Sequence, residues 1–419
     1  MKSVELTATT AEPSATGVTD RWVAPVARRR LLAALSLLRV GRLTVHLPDT
    51  SIVEAGDPDS DLHATMWVTR DAFFRKFALR GDLGAGESYM DGDWRTDDLC
   101  RFVELILRNQ AYLPLDSWLS RLLNLPNDWL HVRRRNSRRG SKRNIGAHYD
   151  LSNDLFATFL DPSLAYSGGV FVSGEESLAQ AQQQKFERWC EALRIGPHDH
   201  VLEIGSGWGG FAMHAARTRG CRVTGITVSA EQLALSRQRV ADAGLAERVS
   251  FEFCDYREVR GQYSRVVSIE MIEAVGERYW PAYFKKIDEV LAPGGLAGIQ
   301  SITMVDHRFN AYRQHCDWIQ KYIFPGGLLP SIREVAGVCA AETRLGVIAL
   351  EDRALDYART LLAWRRAFFD RLDRVRDLGF DDRFIRMWEY YLATCEGAFR
   401  TRNLGLVHFV LARAGDELR

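Results

Sequence analysis

A glycine-rich loop is the part of the sequence whose residue types and spacing point most directly to chemistry. The segment from Gly205 to Gly210, GSGWGG, follows a short apolar run and precedes a helical pattern, so it matches G-x-G-x-x-G in the context that this pattern requires. Glycines let the turn tighten and let a ligand approach the backbone, and both dinucleotides and S-adenosylmethionine bind in this way. The loop alone predicts a nucleoside-containing cofactor and leaves its identity open.

Acidic residues around this loop distinguish the two cofactors. A dinucleotide site normally has an acid at the end of the second strand, where this chain has the uncharged residues Gly225 to Ser229. Glu203 instead lies two residues before the first glycine, as in methyltransferases, and Asp255 follows the third predicted strand, where it can meet the adenine. These positions favour S-adenosylmethionine.

The elements that must position these residues alternate between strand and helix. Helical patterns cover residues 230–243 and 279–291, and Pro293 stops the second of them. Alternation of this kind predicts a parallel, doubly wound sheet, so the predicted fold class is α/β, with a Rossmann-like methyltransferase domain of class I. The predicted strands are residues 200–204, 221–227, 249–254, 263–269 and 296–303.

The remaining sequence predicts three further segments besides this catalytic domain, which covers residues 146–419. Residues 1–20, rich in Thr, Ala, Ser and Glu, predict a disordered tail. Residues 21–130 predict a smaller mixed N-terminal domain, in which the apolar run 31–38 is an amphipathic helix because it is far shorter than the ~18 apolar residues of a membrane span. Residues 131–145 predict a basic linker.

The basic run from Arg133 to Arg143 has two interpretations that the sequence leaves open. A solvated linker explains it, and so does a site for anionic phospholipid headgroups, which attract basic residues by about 1 kcal/mol each near the surface. Nucleic acid is disfavoured as a partner, because the run contains no aromatic residue on which a base could stack.

The amino-acid composition limits the classes of protein to which the chain can belong. The chain has 419 residues, 46% of them apolar and 26% charged, with a formal net charge of +1, which is typical of a globular protein. Its seven cysteines include no Cys-x-x-Cys pair. This pattern predicts a reducing, cytoplasmic setting with neither a disulfide framework nor a metal site.

Several motifs together resemble the cyclopropane-fatty-acyl-phospholipid synthase family, which includes the mycolic acid cyclopropane synthases and related fatty-acyl C-methyltransferases. The resemblance runs from about Ala147 to the C-terminus and is far more specific than the glycine loop alone. The motifs that carry it are residues 148–156, 166–167, 202–210, 227–232, 255–257, 271–276, 318–326 and 397–400.

The resemblance implies two sets of site residues. One surrounds S-adenosylmethionine. The other holds a bicarbonate ion beside the reacting carbons. The cofactor set is Tyr166, Ser167, Glu203, Gly205, Gly207, Trp208, Gly209, Thr227, Ser229, Gln232, Asp255 and Tyr256. The catalytic set is Glu273, Tyr357, Gln300, Ile302 and Gly168.

Two members of the catalytic set depart from the family pattern, because Gly168 stands where the family has Cys and Gln300 where it has His. Gly168 keeps a backbone N–H and Gln300 keeps amide donors, so both remain candidates. These two departures leave open whether the site binds bicarbonate and which product the enzyme forms.

The implied reaction begins with attack of an alkene on the sulfonium methyl, which leaves a carbocation on the neighbouring carbon. Aromatic faces stabilise such a cation by about 0.5–2 kcal/mol each, and Tyr322, Phe324, Tyr357 and Trp364 are the candidates. Glu273, directly or through bicarbonate, is the predicted base. Immediate proton loss from the new methyl closes a cyclopropane, whereas a prior hydride shift gives a methylene, the precursor of a methyl branch. Both products remain open.

The resemblance also implies the partners. These are unsaturated phospholipid acyl chains, an anionic membrane surface to which the enzyme binds peripherally, and a second copy of the chain in a homodimer. Two other functions compete with the lipid enzyme. One is a small-molecule N-methyltransferase, since some alkaloid enzymes resemble the same domain, and the other is an inactive lipid-binding module.

Overall fold

The computed structural model describes residues 18–113 and 152–416, and they form two compact units. The first unit contains the described residues up to 113 together with Asp381–Thr401, and the second contains the described residues from 152 to 380 and from 402 onward. The predicted basic linker and most of the predicted N-terminal tail lie outside the described residues.

The first unit is built on a mixed four-stranded sheet with the order β2-β1-β3-β4. β1 pairs antiparallel with β2 and parallel with β3, and β3 pairs antiparallel with β4. Residues of β1 and β3 alternate between more and less buried positions, so one face of this sheet is the more buried one. The strands are β1 (Arg42–His46), β2 (Ile52–Gly56), β3 (His63–Val68) and β4 (Trp94–Thr96), and the helices are α1 (Val18–Leu35), α2 (Ala72–Met90), α3 (Leu99–Arg108) and a return helix (Asp382–Arg400).

The return helix belongs to the first unit although it lies far along the chain, within the segment predicted to be catalytic. It packs against α2 and α3, and the Tyr89 hydroxyl donates a hydrogen bond to Glu389 Oε2 at 2.8 Å. A Cβ at Gly397 would lie 2.8 Å from Val103 Cγ1, so glycine is what allows the close approach. The return helix therefore interrupts the predicted segment 146–419. Such a long-range return has no local sequence signal.

The second unit contains a seven-stranded sheet with the order β10-β11-β9-β8-β5-β6-β7. The five strands from β9 to β7 in this order are parallel, whereas β11 is antiparallel to both β9 and β10. The strands are β5 (His200–Ile204), β6 (Arg222–Thr227), β7 (Val249–Phe253), β8 (Tyr263–Ile269), β9 (Leu291–Met304), β10 (Leu345–Asp352) and β11 (Leu404–Arg413).

The α/β fold predicted from the sequence is therefore confirmed. All five predicted strands are present, and β9 begins five residues earlier than predicted because the chain pairs with β8 directly after the preceding helix. The antiparallel strands β10 and β11 were not predicted.

Helices cover both faces of this sheet. Adjacent residues such as Val266 and Val267 point to opposite faces, and they belong to two different buried apolar clusters. The helices are α4 (Asn153–Phe159), α5 (Leu178–Ala192), α6 (Gly210–Arg219), α7 (Ala230–Asp242), α8 (Trp280–Val290), α9 (Asp306–Tyr312), α10 (Trp318–Tyr322), α11 (Ile332–Glu342), α12 (Ala354–Asp370) and α13 (Leu372–Asp377).

Over residues 18–113 and 152–416, no helix combines the length and the apolar composition needed to cross a bilayer. The apolar run 31–38, predicted to be an amphipathic helix, falls largely within α1.

The close packing at Gly397 predicts a stability effect. We expect Gly397→Ala to lower the free energy of unfolding by about 1–3 kcal/mol, because the new methyl overpacks against Val103. Gly337→Ala is the matched control, since Gly337 is also helical and a Cβ there would have no atom of the described residues within 4 Å; there alanine should stabilise by up to about 1 kcal/mol. Denaturant unfolding measures both, and an unchanged stability in Gly397→Ala would contradict the packing argument.

Candidate active site

A cavity opens where β5, β6 and β8 end, at the glycine loop that joins β5 to α6. It encloses about 1210 Å³ free of protein atoms, including its open mouth. Gly205, Gly207 and Gly209 have φ values of +81°, +51° and +82°, a region that favours glycine. The loop therefore exposes its backbone to the cavity, as its sequence pattern predicts.

Most residues of the predicted cofactor set line this cavity. They are Tyr166, Ser167, Glu203, Gly205, Gly207, Trp208, Thr227, Gln232, Asp255 and Tyr256. The two others lie beside it. Ser229 caps α7, where its hydroxyl accepts from the backbone N–H of Gln232 at 3.3 Å, and a Cβ at Gly209 would lie 2.6 Å from the Phe251 ring.

Two polar groups of the cavity are suited to a polar, cationic ligand. Glu203 Oε2 and the Tyr256 hydroxyl are buried without a hydrogen-bond partner among the described residues, and buried polar atoms normally have one. Burial raises the pKa of Glu203 to about 8. Asp255 also lines the cavity, but its carboxylate accepts from the Arg257 side chain at 2.8 Å, which limits what it can offer to an adenine.

A second cluster adjoins this cavity and centres on Glu270, the residue directly after β8. Glu270 Oε1 accepts from the backbone N–H of Gly168 and from Gln300 Nε2, both at 2.8 Å. Its other oxygen accepts from the Tyr357 hydroxyl at 2.8 Å. Three predicted catalytic residues thus converge on a carboxylate that was not among the residues predicted from the sequence.

The backbone of Glu270 shows how closely this arrangement is constrained. Its φ is +50°, a conformation that costs a residue with a side chain about 1–3 kcal/mol and is concentrated at functional sites. The available sequence signal was a second acid three residues before Glu273 at the end of a strand. The motif that carries the family resemblance begins at Met271 and leaves this acid out.

Glu273 lies in a different environment. Its Oε1 accepts from the backbone N–H of Ile302 at 2.6 Å, and its Oε2 is buried without a partner in the part of the chain that the structure describes. Burial and the neighbouring charge of Glu270 raise the pKa of Glu273 to about 8. Two adjacent carboxyls with unequal donors divide their roles. Glu270, with three donors, is the more stabilised as an anion, and Glu273, which accepts from Ile302, is the more readily protonated.

The residues present do not fit the bicarbonate that the resemblance implied. The donors of Gly168, Gln300 and Tyr357 are already engaged by Glu270. A side chain at position 168 would also require its neighbours to shift, because its Cβ would lie 2.5 Å from Leu406 Cδ2 and 3.1 Å from Tyr357 Cγ.

Aromatic rings stand beside this cluster. The Tyr166 and Trp364 rings stack with centroids 5.1 Å apart, and Trp364 meets Tyr357 edge-on at 6.0 Å. Phe324 lies 6.4 Å from Tyr166, whereas Tyr322 packs on Trp318. Of the four aromatic candidates, Phe324, Tyr357 and Trp364 therefore share one cluster.

Comparison with known proteins decides the family. Residues 136–409 match the family described as mycolic acid cyclopropane synthetase. The chain belongs to this family. It is accordingly an S-adenosylmethionine-dependent methyltransferase of the lipid-modifying kind.

Individual members of the family are similar over most of their length. The chain is 41% identical to the tuberculostearic acid methyltransferase UfaA1 of Mycobacterium tuberculosis, with 97% of this chain and 99% of the relative covered. It is 36% identical to the cyclopropane-fatty-acyl-phospholipid synthase of Escherichia coli, over 84% of this chain and 89% of that enzyme.

A solved structure from this family is similar to the catalytic unit. The mycolic acid cyclopropane synthase CmaA1, determined in complex with SAH and CTAB, superposes with a TM-score of 0.59 at 27% identity. The match covers 64% of this chain and 97% of CmaA1.

The unpartnered carboxylate oxygen of Glu203 predicts a pH-dependent affinity. We expect Glu203→Gln to weaken S-adenosylmethionine binding about 10- to 100-fold, the usual effect of losing a hydrogen bond to a charged group. Because burial raises the pKa of Glu203 to about 8, affinity of the unaltered enzyme for this cation should rise as the pH increases toward 8, and the variant should lose that rise. Calorimetric titration at several pH values measures both.

The matched control is Glu231→Gln, an exposed acid in the first turn of α7. Equal affinity losses in the two variants would show that general charge, rather than the buried carboxylate, attracts the cofactor.

Proposed function

We propose that this enzyme transfers a methyl group from S-adenosylmethionine to the cis double bond of an unsaturated fatty acyl chain of a phospholipid, and that Glu270 is the base that completes the reaction. The observation that carries the proposal is the Glu270 carboxylate, held by three donors beside the cofactor cavity. Similarity to lipid-modifying enzymes over nearly the whole chain supports the substrate class.

The first step requires alignment rather than a deprotonated nucleophile. S-adenosylmethionine supplies an electrophilic methyl, and the alkene π electrons attack it, so holding the two groups in line contributes most of the acceleration. Apolar and aromatic side chains around Tyr166 and Trp364 exclude water from the carbocation that results. Their ring faces stabilise the positive charge by about 0.5–2 kcal/mol each.

The second step requires a base that is already ionised when the carbocation forms. Desolvation raises the pKa of Glu270, whereas the Gly168 N–H, the Lys185 ammonium and the other donors oppose that shift. The raised pKa makes Glu270 more basic than an exposed carboxylate, and the three donors stabilise its ionised form. Glu270 takes a proton from the methyl that has been transferred, and the electron pair of that C–H bond neutralises the cation.

We infer further that the product is open-chain. In the cyclopropane mechanism that the resemblance implies, a bicarbonate ion takes the proton. In this chain Gly168, Gln300 and Tyr357, which would hold that ion, donate to the Glu270 carboxylate instead. Removal of a methyl proton after a hydride shift gives an exocyclic methylene, which a separate hydride donor can reduce to a methyl branch.

Membrane attachment through the basic run from Arg133 to Arg143 stays a prediction, because that run lies outside the described residues. Formation of a homodimer also stays a prediction.

The product can be identified by labelling. Cells that express the chain are fed methyl-deuterated methionine, and their fatty acids are separated and analysed by mass spectrometry and NMR. Both candidate products retain two deuterons, so the decisive signal is the carbon skeleton, which we expect to be a methylene or a methyl branch. A cyclopropane would overturn the open-chain assignment. Absence of labelled lipid, with methylation of amines instead, would overturn the lipid function.

Substitution of the two carboxyls separates their roles. We expect Glu270→Gln to retain S-adenosylmethionine binding and to lower turnover about 10²- to 10⁴-fold, the usual contribution of a general base. Glu273→Gln, the matched control three residues away, should lower turnover much less, because a neutral acid there already resembles the amide. The reverse order would return the base role to Glu273, as the resemblance implied.

The same assignment predicts the pH profile of turnover. A base acts only when deprotonated, and the pKa of Glu270 is raised. Activity should therefore fall as the pH decreases through a value above the ordinary ~4.3 of a glutamate. Steady-state rates between pH 5 and 8 measure this limb, and its persistence in Glu270→Gln would exclude Glu270 as its source.

A further inference from the structure

We propose that Trp189 is a positioning residue that fixes the orientation of the Gln300 amide and thereby holds Glu270 in its charged form. The inference rests on the proposed role of Glu270 as the base. Trp189 lies in α5, outside all of the motifs that carry the family resemblance.

The hydrogen bond between the two side chains determines which end of the amide faces which partner. The Trp189 indole N–H lies 3.1 Å from Gln300 Oε1, and both side chains are completely buried. An indole N–H only donates, so the Gln300 oxygen must face Trp189. The NH₂ group is consequently directed at Glu270 Oε1, at 2.8 Å, and at the Gly168 carbonyl, at 3.2 Å.

The sheet is shaped to hold this indole. Gly298 lies two residues before Gln300 in β9 and on the same face, and a Cβ there would lie 2.5 Å from Trp189 Cζ3. His408 of β11 is the cross-strand partner of Gln300, and its ring stacks on Trp189 with centroids 4.6 Å apart. A glycine, an amide and an imidazole on adjacent strands thus form a slot for one indole.

The imidazole in this slot stays neutral. Burial, together with the positive charges of Arg353, Lys185 and Arg188, lowers the pKa of His408 to about 3. Stacking on His408 therefore adds no charge that changes over the working pH range.

Loss of the indole N–H would leave Gln300 Oε1 without this buried donor and would weaken the preference for the observed amide orientation. A reversed amide would direct Gln300 Oε1 at the Glu270 carboxylate, so that two acceptors face each other and one of the three donors is lost. Both changes disfavour the charged form of Glu270 and raise its pKa further. The base would then be protonated over a larger part of the pH range.

The indole N–H of Trp189 donates to Gln300, whereas the other titratable groups around Glu270 belong to three different elements. They are Lys185 of α5, Glu273 after β8 and Tyr357 of α12. Lys185 lies one helical turn before Trp189, and its ammonium is held separately by the Ser167 hydroxyl at 2.6 Å.

A double-mutant cycle with Trp189→Phe and Gln300→Met tests the inference. We expect Trp189→Phe to lower turnover about tenfold on the acid limb of the pH profile, in line with a hydrogen bond that acts on a charged group. It should also move the acid limb of the kcat profile upward, so that activity recovers at higher pH. In the Gln300→Met background the same substitution should cause no further shift, because neighbouring residues that act through one group are not additive.

Two further variants separate positioning from packing. Trp388→Phe removes a buried indole from the N-terminal unit and should leave the pH profile unchanged. Gly298→Ala keeps the indole but displaces it through the 2.5 Å contact, so it should reproduce the shift even if Trp189→Phe does not fold. Additive effects in the cycle, or a loss of turnover without a pH shift, would overturn the inference.

A measurement that needs no turnover distinguishes this inference from the proposed function. The Glu270 carboxyl is followed by ¹³C NMR titration of glutamate-labelled, cofactor-free protein and assigned with Glu270→Gln. We expect its pKa to be about one unit higher in Trp189→Phe, which corresponds to the tenfold effect. An equal pKa in both proteins would overturn the positioning role. If Trp189→Phe shifts the pKa of Glu270 but the unaltered enzyme makes no methylated lipid, the proposed lipid function is wrong and the positioning role of Trp189 stands.

Discussion

Glu270 places an ionisable carboxyl group at the end of a central strand, where donors from three separate parts of the chain meet its two oxygens. Taking a carboxylate out of water is costly unless its hydrogen bonds are replaced. Several otherwise unrelated features of the catalytic unit follow from this requirement. The chain lacks a side chain at Gly168, adopts a positive φ at Glu270 and presents an amide at Gln300.

The charges around this carboxylate form a limited set. Glu203, Glu270 and Glu273 lie within one region, and the buried ammonium of Lys185 interacts with the first two. Burial raises the pKa of all three carboxyls, so the cofactor-free protein holds fewer negative charges there than its sequence suggests. A cationic cofactor adds a positive charge to this region and favours ionisation of the carboxyls that face it.

Sequence reasoning succeeded where function depends on a local pattern. The glycine loop and Glu203 lie together at one cavity, as their pattern predicts, and strand periodicity located the five parallel strands. It failed where a position is defined by residues distant in the chain. Glu270 and Trp189 become meaningful only when β8, β9 and α5 are adjacent, and the return helix is assigned to the N-terminal unit by packing against α2 and α3. The absence of Cys at 168 and His at 300 was visible in the sequence, but the hydrogen bonds that join both positions to Glu270 were not.

The position of β11 in the sheet has a consequence for how the enzyme is made. β11 is translated after every other described strand, yet it lies between β9 and β10. On the ribosome both neighbours therefore expose an open edge until β11 emerges, and such edges are prone to pair with other chains. The strand also carries Leu406 and His408, which pack behind Gly168 and Trp189. Completion of the sheet and assembly of the catalytic cluster thus coincide, so a chain interrupted before β11 would neither close its sheet nor act on lipid.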